Sequence, residues 1–159
     1  MKASEFPGLL RGLEIPGVTV GPVLNDSGEP AGPGSGLEHG FAVTSGSGAR
    51  IAFQVALQED GNLASDGPPA AYPEMPEIED DRLVCRDVEA AVANWLGRSP
   101  AGQHIRQIHR YSDGDKRGIQ YGLSLDLYSG GRVFIQALWI LEPGEKYTRD
   151  NKFRMREAV

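Results

Sequence analysis

The chain is poor in the residues that build disulfides and metal sites. It has one cysteine, Cys85, and three histidines, His39, His104 and His109. A single thiol cannot close an intramolecular disulfide, which fits a reducing compartment. His104 and His109 are five residues apart, so they point to opposite faces of a strand or lie about 140° apart around a helix. Since zinc needs three or four well-spaced ligands, the sequence predicts no metal site, and it carries no cofactor fingerprint.

Long apolar runs and nucleophile motifs are also missing. No run approaches the ~18 residues of a membrane-spanning helix, and the residues up to Pro7 hold no apolar core of a signal peptide. We therefore expect a cytoplasmic protein without a membrane partner. There is no Gly-x-Ser-x-Gly elbow. Residues 45–50 are rich in glycine and serine but lack the Gly-Lys-Ser/Thr ending of a phosphate-binding loop, so a turn is predicted there.

Alternation of apolar and polar side chains is the strongest signal that the chain does contain. It runs through residues 118–141 on both sides of a loop at 129–131, which predicts a β-hairpin. A three-residue loop sets Leu127 opposite Val133, and a glycine of the loop supplies the left-handed conformation. The further pairs on that face are then apolar as well: Leu125 with Ile135, Leu123 with Ala137, Tyr121 with Trp139 and Ile119 with Leu141.

A second hairpin and one helix are also predicted. Around residues 45–49, Val43 is expected opposite Ile51 and Phe41 opposite Phe53. A helix over about 87–97 is indicated by an N-cap at Asp87, a stop at Gly97 and an apolar stripe. The stripe is expected to cover one sheet face, with Trp95 as its largest contributor, and consists of Val88, Ala91, Val92, Trp95 and Leu96.

The remaining segments complete an α+β domain. Residues 4–15 favour a short helix with Ser4 as N-cap, and the valines of residues 18–23 favour an edge strand. Residues 104–112 fit a helix or a strand, and the Asp-Gly pair that follows favours the strand. The prediction is a single domain over 1–159 with an antiparallel sheet of about five or six strands, built from hairpins, and one main helix on one face. Flexible loops are expected near 25–36 and 64–81, and the basic tail, 146–159, is expected to be a short helix or a mobile end.

Charge is distributed unevenly along the chain. Residues 1–97 hold 15 acidic and 5 basic side chains, whereas residues 98–159 hold 7 acidic and 11 basic ones. The two parts therefore carry net charges of −10 and +4 within a total of −6. Opposite charges can balance within one molecule, join two copies as a homodimer, or meet different partners.

These features favour a non-enzymatic protein-binding domain without an active site of its own. By analogy with small acidic domains, we expect an inhibitor, an immunity protein or a secretion chaperone for a cognate protein, which is basic if the acidic loop makes the contact. The expected contact residues are Tyr72, Glu74, Glu77, Glu79, Asp80 and Asp81.

Two alternatives remain at this stage. A nucleic-acid-associated protein would use the basic residues Arg106, Arg110, Lys116, Arg117, Lys152 and Arg154, although a pI near 5.1 argues against nucleic acid as a partner. A small enzyme would need a histidine to meet Cys85, whose thiol lies beside Arg86 at the start of a helix.

Overall fold

The fold is an antiparallel sheet with one main helix on one of its faces, which confirms the predicted α+β class. The structure is a computed structural model that describes residues 1–25, 27–59, 67–114, 118–154 and 156–159. The helices are α1 (Phe6–Leu10) and α2 (Cys85–Arg98), with short 3-10 turns at Ala3–Glu5, Gly102–His104 and Tyr111–Asp113. The strands are β1 (Thr19–Gly21), β2 (Phe41–Thr44), β3 (Arg50–Gln58), β4 (Ile105–Arg110), β5 (Gly122–Leu127) and β6 (Arg132–Leu141).

Within the described residues the sheet has six strands in the order β1-β2-β3-β6-β5-β4. The hairpin of β2 and β3 has the predicted register, with Phe41 opposite Phe53 and Val43 opposite Ile51. The two phenylalanine rings stack with their centroids 4.9 Å apart. Residues 105–110 form a strand, the favoured one of the two predicted alternatives, and this strand pairs with β5 at the other edge of the sheet. Apolar side chains that alternate along the strands therefore line the face beneath α2.

The register predicted for the hairpin of β5 and β6 is wrong by two residues. Val133 lies opposite Leu125, where Leu127 was expected. The N–H group of Leu127 donates to the carbonyl of Gly131 at 3.0 Å, so the loop is formed by residues 128–130, and Gly130 has the left-handed φ of 92°. A shift of two residues leaves every side chain on the same face, and the apolar alternation cannot distinguish the two registers.

The predicted orientation of Trp139 is also wrong, because β6 contains a bulge. Ala52 pairs with Trp139, but the next residue, Phe53, pairs with Ala137, so Leu138 is the extra residue. Because an extra residue reverses the alternation, Trp139 and Leu141 lie on the face away from α2. There they form a second, smaller core whose buried members are Val23, Ala42, Ala52, Leu138, Trp139 and Leu141.

The predictions for both helices need correction. The main helix begins at Cys85 with Val84 as N-cap, so Asp87 lies in its first turn and does not cap it. It continues through Gly97 to Arg98, and Trp95 is only half-buried. The N-terminal helix covers five residues and not 4–15, and Ser4 lies inside the preceding 3-10 turn. After Leu10 the backbone continues in tighter turns, in which the N–H groups of Gly12 and Leu13 donate to the carbonyls of Leu9 and Leu10, and Leu13 is buried.

Of the two alternatives for the basic tail, a short helix or a mobile end, the helix is not formed in its described part, which makes turns and isolated bridges to Trp139 and Val84. The N–H group of Phe153 donates to the carbonyl of Leu138 at 2.8 Å. At the end of the chain, Leu83 and Val159 exchange two backbone hydrogen bonds, of 2.7 and 2.9 Å. The tail thus covers the second core and closes against the residues before α2.

Candidate functional site

Residues 67–83, which we call the strap, cross the molecule without helix or strand. Half-buried Met75 and Ile78 pack against the main core, and Leu83 is fully buried. Hydrogen bonds hold the strap along its length: Tyr128 Oη to the carbonyls of Gly67 and Pro68, the Ala70 N–H to the Ile105 carbonyl, Asn94 Nδ2 to the Pro73 carbonyl, and the Ser47 N–H to the Asp80 carbonyl. The strap therefore has a defined path, which positions its outward side chains.

The acidic residues predicted as a contact surface are all exposed on this strap. They are Glu74, Glu77, Glu79, Asp80 and Asp81. None of the five carboxylates makes a hydrogen bond or ion pair with a residue that the structure describes. In the strap only Arg82 carries a positive charge. These exposed like charges therefore form an acidic surface along the strap.

Tyr72, the sixth predicted contact residue, lies on the helix at the start of this acidic surface. Its side chain is 45% exposed. Its ring lies against Gly97, where a Cβ atom would be only 2.1 Å from Tyr72 Cδ1. Gly97, expected to stop the helix, is required there for this close contact. The tyrosine therefore presents an exposed aromatic edge in a fixed position next to the carboxylates.

A groove of about 760 Å³ lies beside the strap. Its walls come from the N-terminal segment, the last turns of α2 and the strap, and its apolar lining includes Leu9, Val18, Val20, Met75 and Trp95. The exposed side chains of Glu14 and Arg98 also line it. Its size is within the ~300–1,000 Å³ of ordinary ligand sites. Sequence reasoning missed this groove because its walls are distant in the chain.

The basic residues of the nucleic-acid alternative are largely used within the fold. Arg106 and Arg110 point to opposite faces of the sheet: Arg106 pairs with Asp126 at 3.4 Å, and Arg110 pairs with Glu89 on α2 at 2.8 Å. The ammonium of Lys152 lies 5.2 Å from the Trp139 ring centroid. Arg154 reaches Glu145 at 3.4 Å. Lys116 and Arg117 lie outside the described residues.

Cys85 and the histidines are not brought together. The thiol is buried and donates to the carbonyl of Arg156 at 3.3 Å. Burial raises the pKa of Cys85 to about 12, so it is a protonated thiol at neutral pH. His39 lies near Glu38, His104 near the amino group of Met1, and His109 near Asp126. Within the described ranges no group of three or more His, Cys, Asp and Glu residues is placed to hold a metal ion.

Glu89 is a buried charged residue that sequence reasoning missed. It is fully buried on α2, and its carboxylate accepts hydrogen bonds from Arg110 Nε at 2.8 Å and from Ser112 Oγ at 2.5 Å. It also accepts from the N–H groups of Ser112 and Gly122, at 3.2 and 3.0 Å. The available signal was helical spacing: Glu89 follows Cys85 by four residues, so both lie on the same face of the helix. The fully occupied carboxylate fastens strand ends to the helix and is not free for chemistry.

Comparisons with family models, with curated proteins and with solved structures found no match to this chain. In the part of the chain that the structure describes, no helix has both the length and the apolar character needed to cross a membrane. The strap and the groove are therefore the features of the described structure that bear on function.

Proposed function

We propose that the protein is a binding domain for a cognate protein with a basic surface, and that the strap makes the first contact. One observation supports this most: five exposed carboxylates lie on a hydrogen-bonded segment, and none of them has a hydrogen-bond or ion-pair partner among the residues that the structure describes. Complementary charge accelerates association and selects among partners. By contrast, groups that a nucleic-acid protein or an enzyme would need, such as Arg110 and Cys85, are committed to internal contacts.

The role that fits such a domain is inhibition, immunity or chaperoning of the cognate protein. Each of these roles requires a folded surface that recognises one partner and no chemistry of its own. A fixed acidic strap beside an exposed tyrosine has this character, because charged residues guide the encounter and aromatic residues supply contact area.

The test compares three baits in a native lysate of the source cells: the natural protein, Glu77→Lys with Glu79→Lys, and Glu29→Lys with Asp150→Lys. The control pair changes the net charge equally at exposed positions away from the strap. A cognate protein should be enriched by the natural protein and by the control, and its recovery should fall about tenfold or more with the strap variant. The association rate should also fall with salt. Equal recovery with all three baits would contradict the proposal.

A further inference from the structure

The groove beside the strap has a mixed lining that indicates what it binds. Half-buried apolar side chains, including Val18 and Trp95, form its walls, and the carboxylate of Glu14 lies among them. Glu74 and Glu77 flank Met75, which is part of the same lining. Within the lining Glu14 and Arg98 carry opposite charges, and the exposed Glu74 and Glu77, close to Met75 in the sequence, add negative charge on the strap. An apolar group between positive charges is the complementary ligand.

An unpaired polar atom in the wall is the second observation. Asn94 lines the groove and is 5% exposed. Its Nδ2 donates to the carbonyl of Pro73 at 2.8 Å, which fixes the orientation of the amide. The Oδ1 atom is buried and has no hydrogen-bond partner. Because buried acceptors are normally satisfied, an N–H donor arriving with a ligand would satisfy this oxygen once the side chains covering it move aside.

The third observation is that one wall belongs to the edge of the sheet. Val20 lies in β1, and no strand among the described residues pairs with the outer side of β1. Free strand edges accept extended segments from other chains. A symmetric dimer through this face would instead place each acidic strap beside its copy, which like-charge repulsion disfavours.

We infer that the groove binds an extended segment of the basic partner, with one large apolar side chain in the groove and Lys or Arg residues on either side. This inference rests on the proposed function, since it names the part of the partner that the strap attracts. The flanking cations meet Glu14, Glu74 and Glu77, and the apolar side chain contacts Trp95. A backbone N–H group of the segment donates to Asn94 Oδ1.

The experiment is a nuclear magnetic resonance titration of ¹⁵N-labelled protein with two short peptides. Both carry Lys-Arg pairs at each end, and they differ only in a central phenylalanine or serine. The two indole N–H signals give an internal control: Trp95 lines the groove, whereas Trp139 is 7% exposed and donates to the carbonyl of Thr148. The phenylalanine peptide should shift the Trp95 signal and bind about tenfold or more tightly than the serine peptide, the effect of burying one large apolar side chain.

Two variants test whether the phenylalanine peptide binds in the groove. Val18→Trp fills the groove without changing the charge, and Thr19→Trp is the matched control, because Thr19 is exposed on the neighbouring position and does not line the groove. Binding of the phenylalanine peptide should weaken about tenfold or more in the first variant and stay unchanged in the second. If Val18→Trp does not fold, Glu14→Lys with Glu74→Lys should cause the same loss.

The outcomes separate this inference from the proposed function. If the two peptides bind equally and binding is lost on reversing Glu79 and Asp81, strap carboxylates that the groove inference does not use, the groove is overturned and the strap remains. Phenylalanine-specific binding that survives this reversal would support the groove and contradict the strap. No saturable shift at about 1 mM peptide, or a concentration-dependent dimer that Val18→Trp dissociates, would overturn the inferred occupant.

Discussion

At the scale of single residues, Glu89 shows how a charge is kept inside this core. Its two oxygens accept four hydrogen bonds, from Arg110, from the hydroxyl and N–H groups of Ser112, and from the N–H group of Gly122. A buried carboxylate is tolerated only when its charge and its lone pairs are satisfied in this way. Glu89 therefore connects α2 with the end of β4 and the start of β5.

Replacing Glu89 by alanine should destabilise the protein strongly. Arg110 is 15% exposed, so the substitution leaves a mostly buried guanidinium without its carboxylate, and two backbone N–H groups without an acceptor. We expect a loss of about 3–5 kcal/mol in the free energy of unfolding, measured by urea denaturation. The double variant with Arg110→Met should recover part of this loss, because the uncompensated charge is removed as well. A loss in the double variant equal to the sum of the losses in the two single variants would contradict this account.

At the scale of elements, the contact between α2 and the strap depends on a missing side chain. Gly97 lies inside the helix, where glycine costs about 1 kcal/mol relative to alanine. The Tyr72 ring occupies the space that a Cβ atom would take. The helix therefore gives up intrinsic stability to hold the strap close.

The sign of the effect of Gly97→Ala should depend on Tyr72. In the natural chain we expect destabilisation by about 1–3 kcal/mol, because the methyl group overlaps the ring and forces it away. In a Tyr72→Ala background the same change should stabilise by up to about 1 kcal/mol, the difference in helix propensity. Thermal or urea unfolding of the four proteins checks this. Stabilisation in both backgrounds would show that the ring does not occupy this position.

At the scale of the whole molecule, one acidic residue adds to the backbone hydrogen bonds that fasten the C-terminal segment. Glu145 accepts hydrogen bonds from the guanidinium of Arg156, and Arg154 lies 3.4 Å away. These contacts, first of all the hydrogen bond from Arg156, lower the pKa of Glu145 from 4.5 to about 2. The ionised carboxylate thus joins the loop after β6 to the strand-like end of the tail.

This pairing makes stability depend on pH in a defined window. Since the pKa of Glu145 is lower in the folded protein, its contribution is complete above about pH 4.5 and disappears as the pH falls towards 2. Glu145→Gln should therefore be less stable than the natural protein at pH 7, and the difference should shrink through this window. Urea denaturation at pH 7, 4 and 2.5 measures it. A difference that stays constant over these pH values would exclude Glu145 as its cause.

Local periodicity determined the elements of this protein. Alternation in residues 41–57 and 118–141 and the stripe from Val88 to Leu96 were sufficient for both hairpins, the main helix and the apolar face between them. The strand signal repeats every two residues and the helix signal every three to four, so neighbouring side chains reveal them without knowledge of the rest of the chain. The acidic strap was also recognisable, because exposed like charges need no tertiary partner.

Tertiary structure alone decided the features that join distant residues. The bulge at Leu138 turned Trp139 to the other face, and the hairpin register differed by a shift that no local pattern records. The groove forms only where residues near 9–20, Met75 and Trp95 come together. The carboxylate of Glu89 is satisfied only by hydrogen-bond donors on β4 and β5, Arg110 and Gly122. Such contacts depend on how elements pack in three dimensions, and a one-dimensional pattern carries only the spacing within each element.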